Sequence, residues 1–137
     1  MFPSGHPATN EGLVYEESRW DGKTCLEYTP DGKMLDIRED KKKVGAFLNP
    51  VRKDVRKFAL SIVREIVKNY DVDAYALDYC RYPGDDSDFS ADSHKAFEHY
   101  LGKKVRNFPD NIFTWNADGT KNPGVYYKEW WAFRANV

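Results

Sequence analysis

The sequence predicts an α/β fold built on a βαβ unit with long loops, and three observations carry that prediction. An apolar run at residues 44–48 leads into Asn49-Pro50 and then into Val51, Val55, Phe58, Ala59, Ile62 and Ile66, one face of a helix. Residues 72–79 combine β-favouring side chains with no helical stripe and close on Tyr82-Pro83-Gly84. Strand, helix and strand in that order describe parallel strands joined by a crossover helix.

The chain bounds what such a fold can be. Its 137 residues make one domain or part of one. A net charge of -1 and a pI near 6.3 leave no global basic field for nucleic acid or an anionic membrane. The hydrophobic fraction of 41% supports a small core, while a mean hydropathy of -0.76 keeps much of the surface polar. The longest apolar run, residues 44–48, is far short of the roughly 20 residues a membrane span needs. No signal-peptide pattern is visible in residues 1–12. Two cysteines, Cys25 and Cys80, are too few for a disulfide framework or a four-ligand zinc site.

The elements follow in chain order. Residues 1–40 read as loops punctuated by Pro3, Gly5, Pro7, Gly12, Asp21-Gly22 and the turn Thr29-Pro30-Asp31-Gly32, with short extended pieces at 12–16 and 23–28. The helix opens at Asn49-Pro50, as N-cap and first-turn pair, and stops at Asn69. Asp54, Lys57, Arg64 and Lys68 fall on its solvated side. The second strand is buried and ends at residues 78–81, before an acidic, solvated loop at 85–93. A second helix runs from about residue 91 to 104 with Ser90 as N-cap, and a third occupies 126–137.

Chemistry belongs at the end of the second strand, because in parallel α/β sheets the carboxyl ends of strands face the binding crevice. Asp78 is the candidate by location, with a loop cap or a pair with Arg81 as its simpler role. The aromatic fraction of 15% suits either sugar-stacking platforms or core packing. Asp85, Asp86, Ser87 and Asp88 offer oxygens without the spacing of a calcium loop, and His94 and Glu98 make no zinc pattern, so no metal is implied. No phosphate loop, serine elbow or Cys-His signature occurs, and no cofactor is implied. The Lys/Arg excess in residues 38–57 reads as a solvated face.

Taken together, Leu48-Asn49-Pro50, the helix through Asn69-Tyr70-Asp71-Val72-Asp73, and Leu77-Asp78-Tyr79-Cys80-Arg81-Tyr82-Pro83 resemble the glycosyl-hydrolase-like 10 family, the family 10-like glycosylhydrolases. The resemblance covers residues 44–84, with looser agreement at 2–6 and 126–134. It implies a segment of a (β/α)8 (TIM) barrel and action on a polysaccharide or cell-wall glycan. By that resemblance Asp78 is the catalytic carboxylate, Arg81, Tyr82, Tyr79, His6 and Asn49 touch the carbohydrate, and the location is extracytoplasmic. Glycoside hydrolysis normally takes two carboxylates, about 5 to 5.5 Å or 6.5 to 9.5 Å apart, and no second one is placed here. The chain is also short of the roughly 250 residues of a whole barrel, so it reads as a fragment, inactive alone. A non-catalytic carbohydrate-binding module, or a barrel fragment that packs on other barrel segments or on itself, is the alternative.

Overall fold

A computed structural model describes residues 3–78 and 80–137. The chain forms strand β1 (Pro3–Gly5), helix α1 (Leu13–Glu16), a 3-10 turn (Ser18–Trp20), β2 (Leu26–Tyr28), β3 (Met34–Asp36) and β4 (Ala46–Phe47). It continues with α2 (Lys53–Asn69), α3 (Ala91–Leu101), β5 (Phe113–Trp115), β6 (Lys121–Pro123) and α4 (Tyr127–Ala135). Among the described residues the strands make three two-stranded antiparallel sheets, β1 with β4, β2 with β3 and β5 with β6.

This corrects the predicted fold: the described residues form neither a βαβ unit nor a segment of a (β/α)8 barrel. The apolar run does hold a strand, but β4 pairs antiparallel with β1. Residues 72–78 form no strand and are all exposed. The physical reason lies in their composition: a parallel strand is covered on both faces and reads as a continuous apolar run, whereas Asp73 and Asp78 interrupt this one. The extended piece expected at 12–16 is also corrected, since residues 13–16 make a helical turn.

β2 is the organising strand. Its sequence partner β3 returns through Thr29-Pro30-Asp31-Gly32, where Gly32 adopts φ 77° and its N–H donates to the Thr29 carbonyl at 2.9 Å. On its other side the segment 86–89 runs alongside, with the Tyr28 N–H donating to the Asp86 carbonyl at 2.8 Å and the Phe89 N–H to the Leu26 carbonyl at 2.9 Å. Just upstream, the Cys25 N–H donates to the Phe47 carbonyl at 2.8 Å, which ties in β4. Gly5 in β1 sits where a Cβ would lie 2.7 Å from Val14 Cγ2, so only glycine lets α1 approach that strand.

Two apolar clusters flank this arrangement. One gathers Val14, Trp20, Cys25, Ile37, Phe47, Leu48 and Val55. The other is aromatic, with Tyr28, Phe89, Phe97, Phe113, Trp130 and Phe133, and Trp130 stacks on Phe89 at 5.1 Å and meets Phe97 edge-on at 5.0 Å. The aromatic enrichment is therefore spent largely on packing.

The helices are the elements closest to expectation. α2 begins at Lys53, three residues past the expected pair, because Asn49 is drawn into other bonds, and it ends at Asn69 as expected. Ser90 caps α3 by accepting from the Ser93 N–H at 3.2 Å, and Gly102, with φ 68°, closes that helix earlier than expected. α2 is strongly amphipathic, yet Val55 is its one fully buried residue, and Leu60 and Val67 are 51% and 56% exposed. After the helix, Tyr70, Val72, Tyr75 and Leu77 are likewise exposed.

Candidate functional site

Polar chemistry concentrates where the two clusters meet, around β2. Asp88 is 1% exposed. It accepts from the Leu26 N–H at 2.6 Å, from the Ser90 hydroxyl at 2.7 Å, from the Ser93 hydroxyl at 2.6 Å and more weakly from the Ser90 N–H at 3.3 Å. Asn49, equally buried, donates to Ser90 Oγ at 2.8 Å and accepts from the Val51 N–H at 2.9 Å. One carboxylate and one amide thus tie β2, the start of α3 and the approach to α2 together. Burial raises the Asp88 carboxyl above its ordinary range, and the bonds from Ser93, Leu26 and Ser90 pull it back only in part.

A second group lies one residue along β2. Glu27 is 2% exposed and pairs with Lys43 at 2.6 Å, and Asp86 pairs with the same ammonium at 3.2 Å. Burial pushes the Glu27 carboxyl up to about 7 against the pull of Lys43. Burial lowers the Lys43 ammonium, but its bonds to Glu27 and Asp86 more than offset this and leave it raised. The two shifts weigh the pair oppositely. The Glu27 carboxylate is much the more buried partner of the pair.

The third group joins the loop after residue 81 to α4. Arg134, 9% exposed, donates from Nη2 to the Gly84 carbonyl at 2.6 Å and lies 4.3 Å over the Tyr82 ring and 4.5 Å over the Trp131 ring. Its Nε and Nη1, and the buried Tyr82 hydroxyl, have no hydrogen-bond partner among the described residues. Burial lowers the Arg134 guanidinium and raises the Tyr82 phenol.

The residues expected to touch a carbohydrate are dispersed through this frame. Asp78 and Arg81 are exposed on the irregular segment after α2, and Tyr79 lies outside the described residues. Tyr82 packs on Arg134. His6 is exposed in a tight loop, its N–H donating to the Glu11 carbonyl at 2.8 Å. Asn49 is sealed in the junction and unable to reach a substrate. Asp88, by contrast, was expected to be solvated with Asp85 and Asp86. Asp85 is exposed and pairs with Lys121 at 2.5 Å, whereas Asp88 is buried with both its oxygens hydrogen-bonded. The local signal for it is Asp88-x-Ser90-x-x-Ser93, a carboxylate followed by hydroxyls at cap spacing. Among the described residues no group of three or more His, Cys, Asp or Glu is placed to hold a metal ion.

What these carboxylates can do chemically follows from their bonds. Asp88 has no open side for a substrate, and Glu27 faces a lysine rather than a cleft. Both act as internal fasteners of β2.

An S-layer-related protein of Niallia circulans is 34% identical over 142 aligned positions, which take in 100% of this chain and 9% of the relative. The chain thus spans about 9% of the length of the curated relative it matches. No family model matches the chain. No solved structure matches it either. The expectation of a glycoside hydrolase is corrected by this comparison: the relative aligned over the whole chain is named for an S-layer, not for glycan cleavage.

Proposed function

We propose that this chain is a structural part of a cell-surface protein of the S-layer-related kind. The alignment of all its residues with the Niallia circulans protein carries the reading. The committed state of Asp88 and Glu27 supports it, since a carboxylate bonded to its own fold serves cohesion rather than turnover. The extracytoplasmic location follows from the same reading. No helix among the described residues is long and apolar enough to cross a membrane.

Fractionation of cells that produce the chain tests this. Recovery in the envelope fraction, released by a chaotrope without detergent, is the expected outcome. Recovery in the cytosolic fraction overturns it.

A further inference from the structure

We propose that the outer face of α2 is a docking site for an acidic amphipathic helix. The inference stands on this chain's own geometry and does not depend on where the protein resides.

On α2 the face has an apolar stripe and, along one side of it, a basic edge, while Asp71 and Asp73 lie on the segment that follows the helix. Leu60, Val63 and Val67 follow one another at i, i+3 and i+7, the spacing of one helical stripe. Leu60 and Val67 are more than half exposed, and so is Leu77 on the segment beside them, at 57%. Leu60 and Val63 share with Leu77, Cys80 and Val137 a cavity of about 250 Å³. That is below the roughly 300 to 1,000 Å³ of a small-molecule site, so it suits inserted side chains better than a free ligand.

The charged edge decides the partner. Lys53, Lys57, Arg64 and Lys68 run along one side of the stripe, and none of them makes an ion pair among the described residues. The two acids of the helix, Asp54 and Glu65, fall roughly 160° around from the stripe at about 100° per residue. Arg56, inside the face, is occupied, its Nη1 donating to the Pro50 carbonyl at 2.6 Å and the Val51 carbonyl at 2.7 Å. A second copy of α2 would set a lysine and arginine row against this one, which like-charge repulsion disfavours. A helix with leucine-type residues on one stripe and Glu or Asp beside it satisfies both the cavity and the row.

The test uses the whole chain and a labelled peptide of about 18 residues, long enough to hold a helix, with Leu at i, i+3, i+4 and i+7 and Glu on the flanks. A peptide with the same Leu pattern and Lys flanks is the control, and binding is read by fluorescence anisotropy at low and high salt. The Glu peptide is expected to bind at least about tenfold more tightly than the Lys peptide, with the difference shrinking in salt. The exposed-site variant Leu60→Asp, checked for an unchanged far-UV spectrum, is expected to lose that binding. The double variant Lys57→Glu with Arg64→Glu is expected to shift the preference toward the Lys peptide. Equal binding of the two peptides, or none up to about 1 mM, overturns the proposal. So does self-association through this face that the Glu peptide fails to disrupt, or binding to anionic lipid vesicles without binding to the Glu peptide.

Discussion

Replacing Asp88 by alanine removes the acceptor that joins β2 to the start of α3. Two donors in a dry setting lose it outright, the Leu26 N–H at 2.6 Å and the Ser93 hydroxyl at 2.6 Å, with the Ser90 hydroxyl at 2.7 Å losing its acceptor as well. A stranded buried donor costs about 1 to 3 kcal/mol, so two of them set a loss of about 2 to 6 kcal/mol. Part of that is returned, because burial penalises the carboxylate and raises its pKa. The net expectation is about 2 to 4 kcal/mol, a large share of the roughly 5 to 15 kcal/mol that holds a domain together. Asp88→Asn retains one accepting oxygen but turns an N–H₂ toward the other donors, and about half of that loss is expected. Urea titration of wild type and both variants, followed by tryptophan fluorescence, reads the difference. A loss below about 1 kcal/mol for the alanine variant, with an unchanged denaturant slope, would refute the reasoning.

Three further outcomes follow from the same junction. Glu27 is raised to about 7 when folded, from 4.5, so between those values the unfolded chain holds fewer protons than the folded one and stability must fall as pH rises. The loss is at most on the order of 3 kcal/mol by pH 7.5, and Glu27→Gln should flatten the melting-temperature profile between pH 4.5 and 7. Ser90→Ala removes the α3 cap and an Asn49 partner and should cost about 1 to 2 kcal/mol by chemical denaturation; an unchanged midpoint would contradict its role. Arg134→Met replaces a buried cation holding a single carbonyl bond with a side chain of similar length. Its unfolding free energy should stay within about 1 kcal/mol of wild type or rise, and a loss above about 3 kcal/mol would show the guanidinium to be better paired than its bonds indicate.

How much of this was legible in the sequence depended on how local each cause was. α2, the Thr29 to Gly32 turn and the Ser90 cap are decided by residues within a few positions of one another, and each was readable. The positions of β2 and β4 were also signalled, by the extended piece at 23–28 and the apolar run at 44–48, but not their pairing, because β2 is held by neighbours far along the chain: the bond from the Leu26 N–H to Asp88 spans 62 positions. Val72, Tyr75 and Leu77 have the composition of a strand, but propensity alone forms none where no neighbouring strand hydrogen-bonds them. The junction was missed for a related reason. Three aspartates in an 85–88 loop look solvated, and only the alignment of 86–89 along β2 buries Asp88 while leaving Asp85 outside. The argument for a site at Asp78 rested on its lying at a strand end, and residues 72–78 form no strand.

Antibodies raised against the folded chain and applied to intact, unpermeabilised cells of the producing organism test the central claim most directly. The account predicts labelling of the intact surface, lost after brief protease treatment of the same cells. Labelling that appears only after the cells are opened would contradict it.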